Sequence, residues 1–174
     1  MSRGDKKIAD AIKFPDGYYM RSYNNKSDGE NWCKCCNGGG FDIEATDSGI
    51  FENKMLGDKY INPDNIFFLI APNGDIAGTI TYRYTENDEN TGIIHMVAIE
   101  KSYQGKGLAY PMNLYAVQKA LDDGKKKIIL TTDDWRIPAI KAYLRAGFCP
   151  VIKPGDKDME NRWSEVMKKT ENKI

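Results

Sequence analysis

Residues 103–109 read Tyr-Gln-Gly-Lys-Gly-Leu-Ala, and their chemistry is that of a seat for oxyanions. Gly105 and Gly107 free the backbone of side-chain bulk, so successive N–H groups can converge on phosphate oxygens. The apolar run before them, 93–99, is strand-like, and the run behind them, 108–121, has helical spacing. The seat therefore falls at a helix N-terminus, where unpaired N–H groups and the helix dipole both favour an anion. Lys106 adds a positive charge. Gln104, Gly107 and Ala109 satisfy the pattern Q/R-x-x-G-x-G/A. A Walker A loop needs glycine where Glu100 stands and serine or threonine where Gly107 stands, and a dinucleotide fingerprint needs glycine where Tyr110 stands. The bland alternative is a plain strand-to-helix turn with two glycines.

Other residues suit proton transfer. Tyr143 lies in a helical run and brings a phenol with a pKa of about 10, protonated at neutral pH and able to donate. His95 is the only histidine. Its intrinsic pKa suits a base near neutrality, and a partly buried structural histidine is the alternative. Asp42, Glu44 and Asp47 are an acidic group able to attract a cationic amine, with Trp32 or Phe51 as a wall; a solvated acidic face is the simpler reading. Cys33, Cys35 and Cys36 are crowded and Cys149 is distant. That is a poor disulfide framework, and it matches no paired C-x-x-C zinc pattern, so a reducing cytoplasm and no metal are expected. A metal or redox module built on these cysteines is the distant alternative to core packing.

The rest of the chain must position these groups. Its 174 residues suit one domain with a sizeable core. Lys plus Arg equals Asp plus Glu at 25 each, which argues against a nucleic-acid partner held by a general basic field. No apolar run approaches a membrane span and none resembles a secretory leader. Residues 1–16 read as a loose lead-in and 17–174 as a single domain. Residues 17–24 read as a first strand. Ser27 and Glu30 fit a capping box opening a helix that carries Trp32, Cys33 and Cys36 on one face and ends at 38–40. A short helix is expected at 48–56. Strands follow at 65–71, 75–85 and 91–100, with a tight turn at 72–75. A helix at 106–123 then leads to a strand at 127–132, whose apolar centre suggests burial on both faces and a parallel partner. Asp133 or Asp134 should cap a helix ended by Gly147. Residues 148–153 and 162–168 read as two last strands around a polar loop.

A second motif closes this region: Ala139-Ile140-x-x-Tyr143-x-x-x-Gly147-Phe148. Its order and spacing after the glycine loop resemble the GNAT superfamily of N-acetyltransferases, closely over residues 95–151 and in outline upstream. The resemblance implies an α/β fold: a mixed, mostly antiparallel sheet of six or seven strands, splayed at its centre, with helices on both faces. Where parallel strands part, backbone groups lose their partners, and an extended amide chain can pair with them as an added strand would.

The resemblance further implies acetyl-CoA as co-substrate. Val97, Ala98 and Ile99 would meet its pantetheine arm. Gln104, Gly105, Lys106, Gly107, Leu108 and Ala109 would meet its pyrophosphate. Arg136 stands where many members carry asparagine and would meet a phosphate or the sheet edge. Tyr143 would contact the coenzyme and return a proton to its leaving thiolate. A backbone N–H near Val97 would serve the oxyanion. The glutamate base of some members falls on Ile93 and is missing; His95, a water chain to bulk, or Glu100 or Asp134 through water are the remaining routes. The acceptor would be a small-molecule or peptide amine, and the protein a monomer or homodimer. The alternative is a coenzyme-binding sensor without turnover.

Overall fold

The computed structural model describes residues 5–41, 48–86 and 88–171. They fall into two compact units that divide after Leu130.

The first unit holds a five-stranded sheet in the order β1-β2-β3-β4-β5. Its strands are β1 (Tyr19–Ser22), β2 (Ile66–Ile70), β3 (Ile76–Tyr84), β4 (Thr91–Ile99) and β5 (Lys127–Ile129). The first four pair antiparallel in chain order and β5 joins β4 parallel, so the sheet is mixed and mostly antiparallel as expected. Among the described residues five strands stand where six or seven were anticipated.

All five residues of β2 are buried, because helices cover both sheet faces. On one face lie α2 (Ser27–Gly38) and α3 (Ser48–Phe51), the latter continued by a π-helical turn, Glu52–Leu56. Here Phe68, Ile66 and Ile70 join Trp32, Cys33, Cys35, Cys36, Phe51 and Met55 in one cluster. The three cysteines are therefore core residues, and burial pushes the Cys35 thiol up to about 12, far from a reactive thiolate. Trp32 and Phe51, anticipated as a wall of the acceptor site, are 0% and 1% exposed and pack edge to face with ring centres 5.6 Å apart. On the other face lies α4 (Ala109–Asp122), whose Tyr115 meets Phe67 edge to face at 5.2 Å. A helix α1 (Asp5–Ala11) packs against α4, within the stretch read as a lead-in.

Arg21 on β1 fastens α2 to the sheet. Its guanidinium donates to both oxygens of Asp28 at 2.8 and 2.6 Å, and the Asn24 N–H donates to the same carboxylate at 2.9 Å. Burial raises the Asp28 pKa, yet the Arg21 fork and the backbone donors outweigh it and hold the carboxyl below its ordinary 3.8. The expected Ser27 capping box does not form: Lys26 is the N-cap and no side chain caps it. The Asn25 side chain takes the Ser27 N–H instead, at 3.0 Å.

The second unit holds α5 (Ile137–Arg145) and α6 (Lys157–Glu171). Residues 148–153 are irregular and 162–168 are helical, so neither expected strand forms. Met159, Trp163, Val166, Met167 and Thr170 recur at helical spacing, Asp158 and Glu160 suit the first turn, and Lys168 and Lys169 the last. The Asp156 carboxylate accepts the Met159 N–H at 3.0 Å and starts the helix. Neither Asp133 nor Asp134 caps α5 by its side chain; Arg136 is the N-cap and Asp134 instead forms a two-point ion pair with Arg162, at 2.8 and 3.1 Å.

Candidate functional site

The seam of the sheet opens within the first unit. β5 pairs only with Thr91, Gly92 and Ile93 of β4. From Ile94 to Ile99 the strand runs on beyond its pairing with β5. The expected strand 127–132 is cut to Lys127–Ile129 and is exposed to half-buried, because β5 is an edge with one neighbour. β4 also carries a bulge. Thr79 faces Ala98 and Thr81 faces His95, so Met96 and Val97 oppose the single residue Ile80. Met96 holds a φ of 50°, the left-handed region that a non-glycine side chain enters at a cost of about 1–3 kcal/mol. The bulge lets His95 and Ala98, three residues apart, project to the same face.

At the end of β4 stands the glycine loop. Gly105 and Gly107 have φ of 74° and 73°, and nothing lies within 4 Å of where a Cβ would stand on either. Glycine is there for backbone conformation, and the space beside the loop is open. α4 begins directly behind it, with Leu108 as N-cap and no side-chain cap, which leaves the helix end to a ligand or solvent. Pro111 in its first turn removes no intrahelical bond. The Lys106 ammonium sits 4.6 Å above the Tyr103 ring. The Gln104 side-chain amide ties the loop down, donating to Gly38 O at 2.7 Å and Ile99 O at 3.0 Å. The C-terminus of α2 closes on the same point: a Cβ on Gly39 would stand 2.8 Å from that of Ala98, and one on Gly38 would stand 2.8 Å from Lys101 N.

The structure thus brings together Val97, Ala98, Ile99 and residues 104–109 at one end of β4. Val97, Ala98 and Leu108 are buried, Ile99 and Ala109 are half-buried, and Gln104 to Gly107 are exposed. Tyr143 and Arg136 belong to the second unit. Tyr143 is 5% exposed and meets Phe148 edge to face at 6.1 Å. Burial raises its pKa above 10.0, and Arg136 offsets that only in part, so the phenol stays protonated at neutral pH. Arg136 lies over the Trp135 ring, 6.0 Å from its centre. Of the possible bases, Glu100 accepts from Ser102 N and Oγ, and Asp134 is held by Arg162. No hydrogen bond of the His95 imidazole is seen among the described residues. Burial lowers its pKa below 6.5, the charges of Arg83 and Lys54 lower it further, and Asp58 opposes them. Asp42, Glu44 and Asp47 lie outside the described residues.

Sequence reasoning passed over Arg83 and Thr81. Their signal was present: Thr79, Thr81 and Arg83 alternate with apolar residues along β3 and so share one face.

The sequence model of the acetyltransferase (GNAT) family matches residues 28–148. The chain belongs to that family. The matched span takes in α2, the bulged strand, the glycine loop, α4 and α5. Among curated relatives, a mycothiol acetyltransferase of Corynebacterium aurimucosum is 26% identical over 117 residues, covering 63% of this chain and 36% of the relative. A mycothiol acetyltransferase of an Arthrobacter species is 22% identical over 154 residues, covering 85% and 47%. The chain therefore spans less than half the length of these relatives. Among solved structures, a GNAT acetyltransferase of Staphylococcus aureus matches with a TM-score of 0.59 at 21% identity, covering 80% of this chain and 88% of that one. AAC(6')-Iy, crystallised with a bisubstrate analogue of coenzyme A and acetylneamine, matches with a TM-score of 0.61 at 13% identity, covering 78% and 93%. At these identities the likeness establishes the fold.

Proposed function

We propose that this chain transfers an acetyl group from acetyl-CoA to a primary amine of a small molecule or peptide. The observation that carries the reading is the parting of β4 from β5 after Ile93, with the glycine loop at the end of the strand. In this reading the backbone of Val97, Ala98 and Ile99 pairs with the amides of the pantetheine arm, and Gln104 to Ala109 with Lys106 hold the pyrophosphate. Arg136 meets a phosphate.

The neutral amine attacks the thioester carbonyl; a C–N bond forms, the C–S bond breaks, and an amide and coenzyme A result. The amine surrenders a proton to His95, whose lowered pKa keeps it neutral and receptive at pH 7. A backbone N–H beside the bulge near Val97 steadies the developing oxyanion. Tyr143, assigned through the family motif, returns a proton to the thiolate, and its raised pKa keeps that proton available. No metal is required. Among the described residues no helix is long and apolar enough to cross a membrane. We expect a cytoplasmic monomer or homodimer with no nucleic-acid partner.

The test is free thiol released from acetyl-CoA across a panel of amines. Amine-dependent release is expected. Coenzyme binding without such release would leave a sensor in place of an enzyme. Tyr143→Phe should cut turnover far more than coenzyme affinity, and unchanged turnover would remove Tyr143 from its role.

A further inference from the structure

On the face of the sheet that α2 covers, three polar side chains meet without satisfying one another. Thr81 is 0% exposed and its Oγ1 has no partner among the described residues. His95 stands directly across from it on β4. Arg83, two residues along β3 and on the same face, forms an ion pair through Nη1 with Asp58 at 3.3 Å, while its buried Nε has no partner among the described residues. Tyr60 flanks the guanidinium, with its ring centre 5.7 Å from Cζ. The charged groups that act on His95 are Arg83, Asp58 and Lys54 of the π-helical turn, two cations to one anion. Asp58 has little left to give: its other oxygen accepts the Tyr60 N–H at 2.8 Å. Among the described residues the place is short of negative charge and holds a guanidinium Nε without a partner.

We propose that this strip is the anion subsite of the acceptor: the amine substrate carries an acidic group, which Arg83 and Lys54 meet while the amine lies at His95. The proposal rests on the acetyl-transfer reading and deepens it. Thr81 faces His95 and Arg83 faces Ile93, so Arg83 and His95 are diagonal neighbours across an antiparallel pair, about 7 Å apart at their Cβ atoms. An acid and an amine joined by a few bonds span that gap. The substrate class is therefore small amino acids or amino-phosphates, in which carboxylate and phosphate offer the same fork of acceptor oxygens to arginine.

The test uses matched pairs: β-alanine against its amide, and glucosamine 6-phosphate against glucosamine. Thiol release from acetyl-CoA is measured for each. The acidic member of at least one pair should be favoured by about tenfold, the worth of one charge-assisted contact. The better pair tells carboxylate from phosphate. Lys54→Gln alters an exposed side chain and should shrink the preference without unfolding the chain; Arg83→Gln should abolish it. Arg83→Lys, which keeps the charge on Asp58, should restore part of it. Equal rates within both pairs, or a preference unmoved by Arg83→Gln in a folded variant, overturns the subsite. If no amine releases thiol, the acetyl-transfer reading fails separately, and calorimetry of the same pairs still decides. Acid binding that depends on Arg83 supports the subsite, and its absence sinks it.

Discussion

Gln104→Ala removes the only side-chain tie between the glycine loop and the strand before it that is seen among the described residues. One amide nitrogen holds two carbonyls, Gly38 O at 2.7 Å and Ile99 O at 3.0 Å. A net contribution of about 1 kcal/mol per hydrogen bond is usual, and Gln104 is exposed, so water replaces part of each; the pair should contribute about 1 kcal/mol. In a chain of this size that lowers the melting temperature by roughly 2–4 °C. The functional consequence is of the same size. The tie pre-orders residues 104–107, and without it the coenzyme must order them on binding, so coenzyme A affinity should fall about fivefold. Gln104→Glu sharpens the experiment, because a carboxylate cannot donate and would face two carbonyl oxygens; its loss should exceed that of alanine. Calorimetric titration with coenzyme A, beside thermal melts of both variants, measures the two effects. A variant that melts lower and binds normally would show that the tie serves the fold alone. A variant unchanged in both would refute the reasoning.

Three further outcomes follow from the geometry. Gly107→Val places a β-branched residue at a φ of 73°, a strain of about 1–3 kcal/mol, so coenzyme titration should show affinity down by about tenfold or more, and normal affinity would mean the loop is misassigned. Asp28→Ala strands Arg21 against a site whose acid is 2% exposed; urea melts should show a loss of about 2–4 kcal/mol, below the full cost of a buried pair because Arg21 is 29% exposed, and a loss near zero would contradict the tie. His95 has a depressed pKa, so the unfolded chain takes the proton first as pH falls below the ordinary 6.5. Wild-type stability should therefore drop relative to His95→Gln on acidification through that value and match it above, and parallel pH curves would count against a desolvated His95.

Much of this architecture was legible because glycines and prolines punctuate the chain. The turn at 72–75, the loop at Gly105 and Gly107 and the stop at Gly147 all stand where the residues put them. The strands of the antiparallel meander followed from apolar runs, and burial of the cysteines from their share of one helical face. The bulge at Met96 left no trace, since Ile-His-Met-Val-Ala reads as unbroken strand and nothing in a methionine announces a positive φ. The last helix was misread for a different reason: its buried stripe is thin, so the mostly polar surface of residues 157–171 hid the spacing of Met159, Trp163 and Val166. The cap at Ser27 failed because Asn25 and Asp28 already serve the donors there. At the site, residue types named the coenzyme loop, whereas the pairing of His95 with Thr81 beside Arg83 needed the register of two strands.

The central claim is that the part of β4 beyond its pairing with β5 and the glycine loop grip acetyl-CoA through backbone groups. Amide hydrogen exchange, with and without acetyl-CoA, reads those groups one by one. Slowed exchange confined to Val97–Ile99 and to the amides of residues 104–110 is the predicted result. Tight coenzyme binding that left all of these amides exchanging as before would contradict it.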